Sequence, residues 1–414
     1  MAQTTDPPAA PTMPPPGRLG YQPALDGVRA LAIALVVLFH YPWKNPFYTP
    51  NPVHGGFLGV DVFFVLSGFL ITTLLLQEQA TRGSVSLRRF YARRALRLLP
   101  AFGVLVVIAL VARFAFAAGN GLRPSALGLA GMVFYAANWL EVYHHGALGP
   151  LFSHTWSLAI EEQFYFVWPM AFIFLMRRRL RSGTIAALLG AGIVAAASWR
   201  AWYWYSHITR GDAHRSFVEY YLAVTSHVAA GGALDHRTVV WNRIYFGSDT
   251  RADALLVGCL TAIVLSWLLP RIGARARVRL SAASAVALVG CGIIIWRAVV
   301  VISGWLPMWG ILALELGVAV LIAGLVAAPR GILARGLGVG PLAWLGRRSY
   351  AVYLFHPIVF EYLKRSRVHL APPLSFVFQI VVVLVVAELS HRLVEAPMLR
   401  RKRHFEPPEV SASN

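Results

Sequence analysis

Apolar residues in this chain come in runs of about twenty, separated by short polar or charged stretches. An α-helix of about twenty residues crosses the hydrocarbon core of a bilayer, which is about 30 Å thick, at 1.5 Å per residue. The pattern predicts ten such helices, approximately at 24–42, 57–76, 98–118, 158–176, 184–204, 252–269, 280–301, 308–328, 350–363 and 374–394. The chain is therefore predicted to be an all-α, polytopic membrane protein.

One further apolar segment, 125–143, is a candidate for an eleventh span. Counting it would reverse the orientation of every later helix and place the downstream basic clusters outside, against the usual charge bias. We therefore interpret it as a helix that lies on the membrane surface or re-enters the membrane. The long segment 205–251 is polar and aromatic, and it is either a lid, an acceptor-binding surface or an inert loop.

The basic residues are unevenly divided between the two sides of the predicted bundle. With a cytoplasmic N-terminus, the inner segments hold 23 Lys and Arg residues and the outer segments hold 10. Because positive residues favour the cytoplasmic side, both termini are predicted to be cytoplasmic. The predicted organisation is a disordered, Pro-rich tail at 1–23, a ten-helix membrane domain at 24–396 and a basic tail at 397–414.

The composition agrees with a membrane protein and argues against a soluble one. The chain is 57% hydrophobic and 14% charged, with a mean hydropathy of +0.59, whereas soluble domains carry about 25% charged residues. The net charge of +20 would also suit nucleic acid. The basic residues, however, lie in short clusters between the apolar runs, where membrane topology places them, so no nucleic-acid partner is predicted.

Two ionisable residues interrupt the first apolar run, "LDGVRALAIALVVLFH" at 25–40. Arg29 and His40 are eleven residues apart, which on an α-helix places them within about 20° of each other and about 16 Å apart along the axis. Ionisable residues at membrane depth are costly and mark functional sites by default. Both are predicted to point into the bundle, although Arg29 taken alone would also suit a snorkelling role at the inner interface.

Acidic residues are predicted at the same outer depth as His40. Asp61 lies near the outer end of the second helix, and Glu161 and Glu162 lie near the outer end of the fourth. A histidine with a carboxylate that fixes its tautomer is suited to general base catalysis. The alternatives are helix capping by Asp61 and a helix-dipole role for Glu162. Since adjacent helical residues point about 100° apart, one of the two glutamates faces elsewhere.

The inner side of the bundle carries a cluster of arginines just before the third helix. Arg97 is a helical neighbour of Arg93, four residues earlier, and of Arg94, three residues earlier, and Tyr91 precedes them. Clustered guanidiniums bind phosphate oxygens in bidentate fashion, so these four residues are candidates for binding a phosphorylated cofactor. The alternative is anchoring of the helix or contact with anionic lipid.

Three more residues are candidates for the interior of the bundle. Ser67 lies in the middle of the second helix, where it is either a nucleophile or a serine bonded to its own backbone. Tyr353 and His356 lie in the ninth helix and are candidates for substrate binding. These two, together with Glu315 in the eighth helix, either line one cavity or satisfy one another.

Several of these segments, taken in order from about 21 to 397, resemble the integral-membrane acyltransferase family 3. They are "LDGVRALAIALVVLFH", with ten residues between its arginine and its histidine, "GGFLGVDVFFVLSGFLI", "FYARRALRLLP", "HTWSLAIEEQFYFVWP", "RADALLVG" and "LGRRSYAVYLFHPI". The resemblance implies ten transmembrane helices and transfer of an acyl group, usually acetyl, from acyl-coenzyme A to a hydroxyl. It also implies that Arg29 and His40 are essential and that the arginines around Arg94 and Arg97 hold the donor.

The resemblance further implies an enzyme of the cell (inner or plasma) membrane that transfers groups other than amino-acyl groups. Its acceptors would be glycans, glycolipids or macrolide sugars, and no metal is implied. We hypothesise that His40 deprotonates the acceptor while Asp61, or a glutamate of the fourth helix, orients it. In the alternative, Ser67 or His40 is acylated first. The competing interpretations are a transporter or flippase for a polar glycan or lipid, and a non-catalytic scaffold.

Overall fold

A computed structural model of the protein describes residues 20–42, 53–116, 122–207, 236–300, 305–366 and 370–402. Within these ranges the regular structure is entirely helical. The α-helices are α1 (Pro23–His40), α2 (Gly59–Arg82), α3 (Leu87–Ala115), α4 (Ala126–Val133), α5 (Ala137–Tyr143), α6 (Thr155–Arg177), α7 (Ser182–His207), α8 (His236–Phe246), α9 (Ala252–Leu268), α10 (Ala274–Val300), α11 (Ile311–Ala327), α12 (Ile332–Leu337), α13 (Gly340–Arg365), α14 (Pro372–Ser390) and α15 (Ala396–Lys402).

The helices confirm an all-α protein with several helices suited to crossing a membrane. Eight helical segments in the described residues are long and apolar enough to cross a bilayer. They contain α1, α2, α3, α6, α7, α10, α11 and α14. The other two predicted spans correspond to α9, which has 17 residues, and to α13, which carries several charged residues at its two ends. The orientation of the termini stays a prediction.

The ambiguous segment 125–143 forms two short helices instead of one long one. α4 has 8 residues and α5 has 7, and neither reaches the length of about twenty residues that a bilayer requires. The chain turns sharply between them at Tyr135, whose φ is +52°. The prediction that this segment is not an eleventh span is therefore confirmed. Of the other uncertain segment, 205–251, residues 208–235 lie outside the described part of the chain.

Glycines allow the closest helix contacts in the bundle. A Cβ atom placed on Gly68 of α2 would lie 2.0 Å from the backbone oxygen of Leu255, and one placed on Gly258 of α9 would lie 2.1 Å from that of Val65. The two backbones therefore touch, as small residues permit in membrane bundles. A similar close approach joins α1 and α13 at Gly346.

A layer of fully buried charges ties α2, α7, α9 and α11 together. Asp61 Oδ1 lies 2.5 Å from Arg251 Nη2, and Arg200 Nη1 lies 2.5 Å from Asp253 Oδ2. Glu315 of α11 is also completely buried, and neither of its carboxylate oxygens has a hydrogen-bond partner among the described residues. The layer therefore contains three carboxyl groups and two guanidiniums, one acidic group in excess.

Three helices contain an internal proline: α3 at Pro100, α6 at Pro169 and α13 at Pro357. A proline has no backbone N–H, so the carbonyl four residues earlier loses its usual helical donor. For α6 and α13 these carbonyls belong to Tyr165 and Tyr353. All three helices border the cavity described next.

Candidate functional site

An elongated cavity of about 870 Å³, including the part that opens to the surface, lies between α1, α2, α3, α6 and α13. α2 forms one wall from Val60 to Leu74, a length of about 21 Å at 1.5 Å per residue. This wall is mostly apolar, and half of the Leu74 surface is exposed at its end. The polar lining consists of Arg29, Ser67, Arg94, Arg97, Ser157, Glu161, Tyr165, Ser349, Tyr350 and Tyr353. The cavity is thus a slot with one apolar side and one polar, charged side.

The charged lining of the slot is predominantly cationic. Arg29, Arg94 and Arg97 come from α1 and α3, and Glu161 of α6 is the one carboxylate among the lining residues. The guanidinium of Arg94 lies over the ring of Tyr165, 3.6 Å from its centroid, a cation–π contact. The buried Nε atoms of Arg29 and Arg94 have no hydrogen-bond partner within the described ranges. A multiply charged anion would complement this surface.

Ser67 takes part in a hydrogen-bond network between α2 and α6. Its hydroxyl donates to Glu161 Oε1 at 2.7 Å, and its oxygen accepts from the Tyr165 hydroxyl at 2.9 Å. The interpretation of Ser67 as a serine bonded to its own backbone is therefore wrong. Ser266 of α9 shows the ordinary pattern, because it donates to the carbonyl of Ile263 in its own helix.

Three histidines cluster beyond the other end of the slot. The ring centroid of His356 lies 5.1 Å from that of His40 and 5.7 Å from that of His154. The Nδ1 atoms of His40 and His356 lie 2.8 and 3.0 Å from the carbonyls of Val36 and Val352. A carbonyl can only accept, so Nδ1 carries the proton in each ring and Nε2 keeps its lone pair when the ring is neutral. Such a ring is oriented to act as a base.

Tyr353 connects the slot to the histidine cluster. Its hydroxyl donates to the backbone carbonyl of His154 at 2.6 Å and lies 2.6 Å from Ser157 Oγ. Its ring centroid also lies 5.4 Å from that of His154. Ser157 and Tyr353 line the slot, so a series of polar contacts leads from the slot through Tyr353 to His154.

The short helices α4 and α5 are held to α6 by side-chain amides. Gln163 donates to the carbonyl of Tyr135 at 2.8 Å and to Asn138 Oδ1 at 2.9 Å. Ser248 donates to Gln163 Oε1 at 2.6 Å. The segment is thereby fixed against the helix that carries Glu161 of the slot.

An ion pair outside the predicted spans joins α5 to the loop that follows it. His145 Nδ1 lies 2.7 Å from Glu141 Oε2. Burial lowers the pKa of His145, but the hydrogen bond and the charge of Glu141 outweigh this effect and raise the pKa above its ordinary value. The charged form of His145 is therefore stabilised in the folded protein.

The profile of the protein family described as Acyltransferase domain matches residues 22–390 of the chain. The chain belongs to this acyltransferase family. The resemblance inferred from the separated motifs is thus confirmed over nearly the whole length of the membrane domain.

Among known proteins, the chain is similar to several O-acetyltransferases. It is 30% identical over 403 residues to the peptidoglycan O-acetyltransferase OatA of Listeria monocytogenes, covering 93% of this chain and 56% of that protein. It is 28% identical to the O-acetyltransferase OatA of Staphylococcus aureus, covering 93% of this chain and 58% of that protein. The chain therefore spans a little over half the length of these relatives. No solved structure matches it.

The acyltransferase domain brings most of the predicted residues to the slot or to the histidine cluster. Six of them line the slot: Arg29, Ser67, Arg94, Arg97, Glu161 and Tyr353. His40 and His356 lie in the histidine cluster. The predicted catalytic and binding roles of these residues remain predictions.

Asp61 does not contact His40, contrary to the hypothesis that it orients this histidine. Its carboxylate is paired with Arg251, and both side chains are completely buried. The hydrogen-bond acceptor of His40 Nδ1 is the carbonyl of Val36 instead. The prediction relied on the similar depth of Asp61 and His40, but depth does not fix the direction in which a residue faces around its helix.

Two of the predicted donor-binding residues also lie away from the slot. Arg93 Nη2 donates to Glu78 Oε2 at 2.7 Å, and the Tyr91 hydroxyl donates to the carbonyl of Phe166 at 2.9 Å. Neither Arg93 nor Tyr91 is among the lining residues. The ion pair with Glu78 directs the Arg93 side chain away from the slot.

Glu162 is likewise not among the lining residues, although Glu161 is. This agrees with the prediction that one of the two adjacent glutamates faces elsewhere. One carboxylate oxygen of Glu162 is buried without a hydrogen-bond partner among the described residues.

Three residues that contact the predicted ones were missed in the sequence: His154, Ser157 and Tyr165. All three lie in or next to the segment "HTWSLAIEEQFYFVWP". Ser157, Glu161 and Tyr165 follow each other at intervals of four, so they share one face of α6. This spacing was the signal that would have identified Ser157 and Tyr165.

Proposed function

We propose that the protein is a membrane O-acyltransferase that moves an acyl group, most simply acetyl, from acyl-coenzyme A to a hydroxyl of a sugar-containing acceptor. The observation that carries this proposal is the slot, which joins three guanidiniums to an apolar wall about 21 Å long. Membership of the acyltransferase family supports the class of reaction.

The donor half of the proposal follows from charge and shape. Coenzyme A carries several phosphate groups on a long, thin pantetheine arm that ends in the thioester. Phosphates suit the guanidiniums of Arg29, Arg94 and Arg97, which bind oxyanions in bidentate fashion. The arm would lie along the apolar face of α2, which passes Ser67.

The acceptor half rests on the histidine cluster and on the names of the relatives. His40 keeps the lone pair on Nε2 in its neutral form, which is what a base for a sugar hydroxyl requires. The relative from Listeria monocytogenes is named for acetylation of peptidoglycan. We therefore infer a cell-envelope glycan as the acceptor, in preference to a glycolipid or a macrolide sugar.

Donor binding is the first test, because it needs no acceptor. Purified wild type, Arg94→Ala, Arg97→Ala and Arg93→Ala are titrated with acetyl-coenzyme A in lipid nanodiscs. We expect the first two variants to bind about 10- to 100-fold more weakly, since a hydrogen bond to a charged group contributes about 1.5–3 kcal/mol. Arg93→Ala is the matched control, because it removes the same charge from the same helix but faces Glu78.

Acetyl transfer to soluble N-acetylglucosamine oligomers and peptidoglycan fragments is then measured by mass spectrometry of the products. The proposal is supported if wild type forms an O-acetylated product and His40→Ala binds donor without forming product. It is refuted if wild type neither binds acetyl-coenzyme A nor transfers acetyl. Equal weakening of binding by Arg93→Ala and Arg94→Ala would refute the assignment of the slot as the donor site.

A further inference from the structure

We propose that Ser67 is the nucleophile of this reaction and carries the acyl group as an ester between two transfer steps, with Glu161 as its base. This inference rests on the proposed function, because it takes the donor to be a thioester bound in the slot. It goes further in assigning a covalent intermediate and the residues that form it.

The hydrogen bonding of Ser67 differs from that of three other hydroxyls in the membrane helices. Thr261, Ser266 and Ser284 each donate to a carbonyl three or four residues earlier in their own helix, at 2.7 Å. This local bond is the ordinary arrangement for a serine or threonine in an apolar helix. Ser67 instead donates to Glu161 on a different helix. Its hydroxyl is therefore directed at a carboxylate.

Glu161 is placed to accept the proton of Ser67. The distance of 2.7 Å between Ser67 Oγ and Glu161 Oε1 is within the range for proton transfer to a general base. Glu161 forms no ion pair in the part of the chain that the structure describes. A carboxylate that is not held by a guanidinium remains available as a base.

The surroundings of Ser67 also favour charge development at its oxygen. Tyr165 donates a hydrogen bond to Ser67 Oγ at 2.9 Å. The guanidinium of Arg94 lies against the Tyr165 ring, 3.6 Å from its centroid. The Tyr165 hydroxyl therefore supports the negative charge that develops at Ser67 Oγ as its proton leaves.

The separation of the two reactive centres favours a two-step reaction. Ser67 and the arginines line the slot, whereas His40 is not among the lining residues. Ser157 lies one helical turn from Glu161 and contacts Tyr353, which contacts His154. An acyl group on Ser67 would therefore be next to the polar path that leads to the histidines. The serine would receive the group at the donor site and release it to an acceptor that enters from the histidine side.

The chemistry balances without an additional reactant. In the first step, Ser67 Oγ forms a bond to the acyl carbonyl carbon and the carbon–sulfur bond breaks. The serine proton passes to Glu161 and then to the leaving thiolate, which gives free coenzyme A. In the second step, the acceptor oxygen forms a bond to the acyl carbon and the ester bond to Ser67 breaks. The proton of the acceptor hydroxyl passes to Glu161, which returns it to Ser67 Oγ.

The test uses the full chain in nanodiscs with acetyl-coenzyme A labelled in the acetyl group, and without acceptor. Two readouts are taken: acetyl label that stays on the denatured protein and, in a separate incubation with unlabelled acetyl-coenzyme A, exchange of labelled free coenzyme A into acetyl-coenzyme A. Exchange detects the intermediate even when little of it accumulates. We expect both signals in wild type and in the control Ser266→Ala, which removes a hydroxyl bonded to its own helix. Ser67→Ala should lose both signals while still binding acetyl-coenzyme A.

Two further variants separate chemistry from folding. Ser67→Cys should be labelled as a thioester, which neutral hydroxylamine cleaves, whereas the serine ester of wild type resists that treatment. Glu161→Gln should bind donor normally but acylate about 10²- to 10⁴-fold more slowly, which is the usual contribution of a general base.

The inference is overturned if Ser67→Ala keeps exchange and transfer at the wild-type rate, or if peptide mapping places the label on another residue. It is also overturned if wild type transfers acetyl to acceptor but shows neither label nor exchange. That outcome leaves the proposed function intact. If wild type neither binds nor consumes acetyl-coenzyme A, the proposed function and the inference fail together.

Discussion

Replacing Arg251 by methionine is expected to destabilise the bundle strongly, because it breaks a buried ion pair. Arg251 and Asp61 are both completely buried, with 2.5 Å between Nη2 and Oδ1. At an effective dielectric constant of about 20, two unit charges at this separation attract each other by about 7 kcal/mol. Desolvation opposes much of that attraction, so removing one partner of a buried pair costs about 3–5 kcal/mol.

The charge count of the buried layer predicts an asymmetry between the two partners. Arg251→Met leaves three carboxyl groups, those of Asp61, Asp253 and Glu315, with one guanidinium, that of Arg200. Asp61→Asn instead leaves two carboxyl groups with two guanidiniums. We therefore expect about 3–5 kcal/mol of destabilisation for Arg251→Met and a smaller loss for Asp61→Asn. The double variant should recover about 2–3 kcal/mol relative to the sum of the single changes.

The assay is reversible unfolding in mixed micelles at increasing mole fractions of dodecyl sulfate, followed by tryptophan fluorescence. Equal destabilisation by the two single variants would refute the charge count. A double variant whose loss equals the sum of the single losses would show that Asp61 and Arg251 are not coupled. An Asp61→Asn variant with wild-type stability and no acyl transfer would favour a catalytic role for Asp61 over the structural one.

Two other changes test separate parts of the fold. Gly68→Ala should destabilise the bundle by about 1–3 kcal/mol in the same unfolding assay, because its Cβ would lie 2.0 Å from the backbone oxygen of Leu255. Gly190→Ala is the control: its Cβ would have no atom within 4 Å, so the change should be neutral or slightly stabilising. Equal losses of stability in the two variants would contradict the packing argument. His145→Gln should be less stable than wild type at low pH, and the difference between the two should shrink as the pH rises. The reason is the raised pKa of His145 beside Glu141: the pair stabilises the fold below the ordinary histidine pKa, and this stabilisation is lost as the pH rises through the folded pKa. Thermal melts at pH 5.5 and 8.5 measure the difference, and a constant difference would contradict the assignment.

The sequence was sufficient to predict the helices because the length of an apolar run carries that information directly. It was also sufficient to place Arg29 on the same helix as His40 and to separate Glu161 from Glu162, since helical geometry fixes angles within one element. Arg94 and Arg97 were assigned to the same site as Arg93, but the structure divides them. Charge clustering shows that a region is basic, whereas the partner of each side chain, here Glu78 for Arg93, decides which residue faces the cavity.

Contacts between distant segments could not be predicted from one sequence. The partner of Asp61 is 190 positions later in the chain, at Arg251, and no local pattern links the two. Ser67 and Glu161 were each predicted, but their hydrogen bond depends on how α2 and α6 pack. His154 was missed for a related reason: its position just before a helix indicates nothing until the ring of His356 is placed beside it.

The distribution of prolines and glycines divides the protein into two mechanical parts. α2 and α9 touch through their glycine backbones, and buried ion pairs join them to α7. This part forms a stiff frame. The interrupted helices α3, α6 and α13 each have a local weak point at a proline, where helices bend at low cost. The slot lies at the boundary between these two groups of helices. Bending of α6 or α13 would therefore widen or narrow the slot against a fixed wall, so that a long donor could enter and leave without any disturbance of the frame.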